Sequence, residues 1–151
     1  MRNLKYFCFI FLIFFYYPSQ SADKNLAFHG AYTFETNSVQ KSCAVYVSIF
    51  NNTKNTFTIN SLNSQVSEKA EIHEVILDND IVRMNKIEKF IVPPNEQIYF
   101  QPGGSHIMLI NLKKELVDGT SFFINFKLDN GKEAKVKVMV LNKKLRENFI
   151  E

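Results

Sequence analysis

The sequence predicts an all-β domain, an antiparallel sandwich built from short strands. Segments of five to eight residues rich in Val, Ile, Phe and Tyr recur along the chain, and polar or glycine-containing turns separate many of them. No long helical periodicity, internal repeat or low-complexity segment competes with this pattern. The roughly 130 residues that follow the N-terminal leader are enough for one domain. A single antiparallel β-sandwich is therefore expected.

The first 22 residues have the pattern of a secretory signal. Arg2 and Lys5 give a positive start, residues 6–17 form an apolar run, and small residues follow it. The apolar run is shorter than the roughly 20 residues that a membrane-spanning helix needs. We therefore expect export and cleavage after Ser21, with cleavage after Ala22 or an uncleaved anchor as the alternatives.

The predicted strands follow the leader in order, each rich in β-branched and aromatic residues. They lie at residues 44–50, 56–62, 70–77, 96–100, 106–112, 121–128 and 133–140. The turn Asp129-Asn130-Gly131 predicts a hairpin between the last two. Val136, Val138 and Val140 alternate there with polar residues or methionine, which gives the final strand one apolar face.

These assignments divide the chain into a leader at residues 1–21, a sandwich domain at 22–141 and a short polar tail at 142–151. Removing the leader takes away Arg2 and Lys5 and no acids, so the formal charge falls from +3 to 16 − 15 = +1. The positive residues are scattered or mixed with acids. This distribution does not predict nucleic-acid binding.

Two histidines and two methionines form the most informative pattern in the chain. His73, Met84, His106 and Met108 follow the spacing H-x10-M-x21-H-x-M. A thioether sulfur is a soft, uncharged ligand and an imidazole nitrogen is a borderline one. This mixture suits Cu(I) and is poorly matched to Zn(II), Ca(II) or Mg(II), so the pattern predicts a copper site.

Strand geometry allows two short segments to supply all four ligands. The turn Pro102-Gly103-Gly104 precedes the strand that contains His106 and Met108, whose side chains lie on one face because alternate residues face the same way. His73 lies in another predicted strand, and Met84 follows a polar turn on its expected return strand. The two segments can converge on one ion.

The segment from His73 to Leu112 resembles the PCu(A)C-type periplasmic copper chaperones. Their signature is this His-Met-His-Met spacing with a Pro-Gly-Gly-x-His-x-Met-Leu block, which ends here at Leu109. The chain departs from the family pattern where Tyr32 replaces a usual Trp and where a frequent extra Met before Met84 is missing. Neither departure removes one of the four ligands.

The resemblance implies a cupredoxin-like Greek-key sandwich in the periplasm that binds one Cu(I) ion through those four residues. It further implies delivery of copper to the Cu(A) centre of cytochrome c oxidase subunit II, or to a Sco-type assembly factor. We expect a monomer that contacts the membrane only through its leader, before cleavage. A copper-scavenging or copper-tolerance protein would use the same site. A metal-free exported sandwich that binds a protein partner is the other alternative.

The remaining reactive side chains do not indicate an enzyme. The sequence has no nucleophile-elbow glycine pattern and no phosphate-binding glycine loop. His29 lies outside the spaced set, and Glu74 is expected to face away from His73 along the strand. Cys43 has no disulfide partner after cleavage, so we expect a buried thiol. Cys8 lies inside the apolar run, a position that argues against a lipoprotein anchor.

Overall fold

The computed structural model describes residues 26–78 and 81–149, which form ten β-strands and one 3-10 helix. The strands are β1 (Leu26–Phe34), β2 (Ser42–Asn51), β3 (Phe57–Ser64), β4 (Ser67–Asp78), β5 (Ile81–Ile87), β6 (Phe90–Val92), β7 (Gln97–Phe100), β8 (His106–Leu112), β9 (Ser121–Leu128) and β10 (Glu133–Leu141). The 3-10 helix spans Lys143–Phe149. No helix in the described ranges is both long and apolar enough to cross a membrane.

The strands form one sheet in the order β5-β4-β8-β2-β1-β10-β9-β3-β6, and β7 also pairs with β2. A further pairing of β3 with β4, at Leu62 and Ala70, joins distant parts of this order and folds the sheet back on itself. Among the described strands the pairings are antiparallel except that of β1 with β10. The result is a closed, sandwich-like body, as the sequence predicts.

Inward-facing residues from most of the strands form one hydrophobic core. The alternation is clearest in β9, where Phe122, Ile124, Phe126 and Leu128 are buried and most of the residues between them are exposed. The predicted hairpin of β9 and β10 is present, with Val136 directly opposite Ile124. Burying a large aliphatic or aromatic side chain contributes about 1.5–3 kcal/mol. The alternating pattern therefore determines which face of each strand turns inward.

Two strands were not predicted from the sequence, for identifiable reasons. In β1 the pairing with β2 shifts between His29 and Tyr32, and Gly30 has a positive φ of 62°. Such a bulge breaks the two-residue alternation that identifies a strand. The second strand, β6, has only three residues, which is too short for the alternation of side chains to identify it.

The predictions for the two ends of the chain have different outcomes. The predicted polar tail contains the 3-10 helix Lys143–Phe149, which the composition of residues 142–151 did not predict. The predicted leader, its cleavage site and Cys8 lie outside the described residues. Asn79 and Asp80, which belong to the polar turn predicted before Met84, also lie outside them.

Candidate metal centre

The two histidines of the spaced set face each other across neighbouring strands. His73 on β4 lies directly opposite His106 on β8 in the antiparallel register. Their ring centroids are 5.9 Å apart with an interplanar angle of 51°. Directly opposed residues on paired strands project from the same face of the sheet. The register therefore brings together two imidazoles that are 33 positions apart in the sequence.

Both methionines project from the same face as the two histidines. Met108 is two residues beyond His106 on β8, and alternate residues of a strand face the same way. Met84 on β5 lies opposite Val75, which is two residues beyond His73 on β4. The structure thus places all four predicted ligands on one face of the β5-β4-β8 segment.

On β4 and β8, the face opposite the histidines turns toward the core. Ile72, Ile107 and Leu109 are buried and lie next to His73, His106 and Met108 along these two strands, whereas the neighbours of Met84 on β5 are exposed. Packing at these positions fixes the backbone below the site, because protein interiors are close-packed and leave little freedom. His73, His106 and Met108 therefore lie above the packed core, while Met84 lies on an exposed edge strand.

Exposure increases from β8 toward the edge strand β5. His106 is only 7% exposed, the side chain of His73 is 17% exposed, and Met84 is 60% exposed. Met108 is half-buried. Because β5 stands at the end of the strand order, the open side of the site faces the edge of the sheet.

The turn before β8 orients His106. Nδ1 of His106 is 3.0 Å from the carbonyl oxygen of Gly104, and because a carbonyl only accepts, Nδ1 carries the hydrogen. The neutral ring therefore keeps its lone pair on Nε2. The turn itself is closed by the amide of Gly104 donating to Gln101 at 3.0 Å, and Gly103 supplies the positive φ of 80°.

A carboxylate that the sequence analysis did not select lies within the same group. Glu71 is directly opposite Met108, on the same face of β4 as His73. Its Oε2 is 3.2 Å from Nε2 of His73, and its Oε1 is 3.5 Å from Nζ of Lys86. The hydrogen bond from His73, with a smaller contribution from Lys86, lowers the pKa of Glu71. The available sequence signal was its position two residues before His73.

Lys86 connects this carboxylate to a second one. It lies opposite His73 on β5, and its Nζ is 2.9 Å from Oε1 of Glu88. Its pKa is raised, first by the hydrogen bond to Glu88 and also by Glu71. The outer face beside His73 therefore carries a chain of alternating charges. By contrast, Glu74 pairs with Asn85 and projects from the other face, as predicted.

Aromatic rings border the site on the side of β2. The ring of Tyr46 lies 6.5 Å from that of His106, and Tyr32 lies 5.2 Å from Tyr46. Burial raises the pKa of both tyrosines, so their hydroxyls stay neutral around pH 7. Tyr32, which replaces the Trp usual in the resembled family, is thus part of the aromatic border of the site.

The donor set decides which metals could be held. In the described part of the chain, no group of three or more His, Cys, Asp or Glu side chains is arranged to hold a metal ion. A centre at this position therefore needs the methionine sulfurs, which favour a soft ion. The two histidines and two methionines fit Cu(I) by this criterion.

The other two candidates from the sequence lie elsewhere. Cys43 is buried, faces the core opposite Leu109, and has a pKa raised to about 11 by burial. It behaves as the predicted buried thiol, since only the thiolate is reactive. His29 lies on β1 with its ring 5.3 Å from that of Phe50, outside the four-residue group.

The fold and the site together define an all-β domain with two histidines and two methionines on one outer face. Residues 26–140 match the sequence model of the LpqE-like family, described as "Putative lipoprotein LpqE-like". The chain belongs to this family. The name is that of a lipoprotein and agrees with an exported protein.

Among curated proteins, the chain is 31% identical over 100 residues to "Uncharacterized protein RP573" of Rickettsia prowazekii. The match covers 66% of this chain and 55% of that protein, so the chain spans little more than half of its length.

Solved structures confirm the fold expected from the resemblance. The copper-bound PCuAC domain from PmoF2 superposes with a TM-score of 0.66 at 14% identity, over 78% of this chain and 93% of that domain. The solution structure of CuI-DR1885 from Deinococcus radiodurans gives a TM-score of 0.61 at 19% identity, over 76% of each chain. The cupredoxin-like fold of PCuAC-type domains is therefore the fold of this chain.

Proposed function

We propose that this protein is a periplasmic metallochaperone that holds one Cu(I) ion through His73, Met84, His106 and Met108. The single observation that carries the proposal is the placement of these four side chains on one outer face of β5-β4-β8. The similarity to a copper-bound PCuAC domain and to Cu(I)-loaded DR1885 supports copper as the cargo.

The ligand chemistry supports the monovalent ion. Two neutral thioethers stabilise a soft cation without adding negative charge, while the two imidazoles add donor strength. His106 offers Nε2 because its Nδ1–H is bonded to Gly104. A blue-copper electron carrier would need a cysteine thiolate in the centre, and Cys43 faces the core.

The difference in exposure among the four ligands gives a route for transferring copper to a partner. Met84 is the most exposed of the four ligands, and it lies on the edge strand. A partner can replace this thioether first, while the less exposed His73 and His106 still hold the ion. We propose that the recipient is the Cu(A) site of cytochrome c oxidase subunit II or a Sco-type assembly factor, and that the chaperone acts as a monomer without enzymatic activity.

The first experiment measures Cu(I) binding by the chain from residue 22 onward, which contains every described strand. Anaerobic competition with a Cu(I) chelator should give one tightly held ion per chain, lost in His106→Ala and Met108→Ala. Met139→Ala is the matched control, because Met139 lies on β10 and should not affect binding. Absence of copper binding would overturn the proposal.

A second experiment tests the role in the cell. A strain that lacks the protein should assemble less Cu(A)-containing oxidase, with recovery when excess copper is supplied. Copper sensitivity with normal oxidase assembly would instead indicate a scavenging or tolerance protein that uses the same site.

A further inference from the structure

We propose that Glu71 is a positioning residue that holds His73 through Nε2, so that copper is bound by Nδ1 of His73 and by Nε2 of His106. This inference rests on the proposed function, because it assigns the donor atoms of the same copper site. It goes beyond that function by giving the two histidines opposite orientations and by adding a residue outside the spaced motif.

The hydrogen bond between Glu71 and His73 determines which nitrogen is free. A carboxylate only accepts hydrogen bonds, so Nε2 of His73, 3.2 Å from Oε2, carries the hydrogen. A neutral imidazole has one N–H, and its lone pair is then on Nδ1. In His106 the carbonyl of Gly104 binds Nδ1–H and leaves Nε2 free. The two opposed rings therefore present different nitrogens.

Glu71 is held in place by a second donor. Its Oε1 lies 3.5 Å from Nζ of Lys86, and the side chain is 20% exposed. Both oxygens thus have cationic or N–H partners on the same face of the sheet. A carboxylate oxygen is also a hard ligand that suits Cu(I) poorly. These features favour a carboxylate that orients His73 over one that binds the metal.

An outer carboxylate on a ligating histidine fixes the tautomer and raises the basicity of the ring. Its removal typically weakens metal binding by about 10- to 100-fold. Glu71 should therefore contribute to copper affinity without contacting copper. This effect separates it from Glu74, which neighbours His73 in sequence but projects from the other face.

Long-range 1H–15N correlation NMR of the copper-free protein tests the first part. At about pH 8, where a free imidazole is neutral, the Nε2–H tautomer is expected for His73 and the Nδ1–H tautomer for His106. The Nδ1–H tautomer at His73 would overturn the proposal. This measurement needs no variant and is independent of copper affinity.

The Cu(I)-loaded protein tests the second part. His73 should keep its Nε2–H while the Nδ1 resonance shifts, and Glu71→Ala should weaken Cu(I) affinity by about 10- to 100-fold. Glu71→Gln should recover part of the loss, since the amide oxygen still accepts a hydrogen bond. Glu74→Ala is the matched control and should leave both affinity and tautomer unchanged.

The outcomes distinguish this inference from the function on which it rests. Copper bound through Nε2 of His73, or undiminished affinity in folded Glu71→Ala, would overturn the role of Glu71 and leave the copper site in place. Absence of copper binding by the wild-type chain would overturn both.

Discussion

Replacing Met84 by alanine separates ligand loss from structural damage. Met84 is 60% exposed on an edge strand. Full burial of a Met side chain is worth about 1.5–3 kcal/mol, so the covered part contributes about 1 kcal/mol to the empty protein. Copper at 100 times its dissociation constant adds about 2.7 kcal/mol to the free energy of unfolding. Because Met84 is a direct ligand, its loss should weaken affinity by about 100-fold, the largest loss typical of removing an outer-shell partner. Only about 0.4 kcal/mol of the gain would then remain.

Thermal unfolding with and without Cu(I) measures this difference. For a domain of this size, 1 kcal/mol corresponds to about 4 °C in Tm. Copper should therefore raise the Tm of the wild type by about 10 °C and that of Met84→Ala by about 1–2 °C. Met139→Ala, which removes a half-exposed methionine on the same sheet, should keep the full shift. A full copper-dependent shift in Met84→Ala would remove Met84 from the site.

Three further predictions concern buried groups. His106→Ala removes a buried ring and the donor to Gly104, so urea unfolding should show a free energy of unfolding lower by about 1–3 kcal/mol, and copper binding should be lost. His29→Ala should change neither stability nor binding. Retained copper binding in His106→Ala would contradict the assignment of His106 as a ligand. Burial raises the pKa of Cys43 from 9.0 to about 11. The thiol of the unfolded chain ionises at a lower pH than the buried thiol, so up to about 3 kcal/mol of stability should be lost as the pH rises from 9.0 to about 11. Cys43→Ala should lose less stability over the same pH range. Identical pH profiles of stability for the two proteins would refute a raised pKa for Cys43. Nδ2 of Asn51 lies 2.7–3.1 Å from three backbone carbonyl oxygens near the ends of β2 and β6. Asn51→Ala should cost about 3 kcal/mol in urea unfolding with Cu(I) affinity unchanged, and a loss well below this value would contradict the structural role.

Strand positions could be predicted where the alternation of side chains is uninterrupted. In β9 and β10 one face is apolar over the whole strand, and Asp129-Asn130-Gly131 forms the turn between them. Alternation does not identify β1, because Gly30 with its positive φ introduces a bulge that shifts the alternation of side chains by one residue. Local sequence also does not reveal that β1 pairs in parallel with β10, since that pairing joins the two ends of the domain.

The four candidate ligands could be predicted from type and spacing, whereas their surroundings could not. That His106 and Met108 share a face follows from their separation by one residue. The opposition of His73 and His106 depends on the register of β4 with β8, two strands that are separated in the sequence by β5, β6 and β7. Glu71 was missed for this reason. The sequence alone shows that Glu71 and His73, two residues apart on one strand, share a face. The position of Glu71 opposite Met108 follows only from the register of β4 with β8.

The arrangement of the ligands reconciles firm binding with release. His73 and His106 lie on strands paired to neighbours on both sides, above the buried Ile72 and Ile107, and each ring has a hydrogen-bond partner that orients it. Ordering two such donors in advance reduces the entropy lost on metal binding. Met84 lies on the edge strand with a flexible, exposed side chain, so ordering it adds less to affinity. The ion should therefore depend most on the histidines, and exchange should begin at Met84 because this ligand is both the least ordered and the most accessible to a partner.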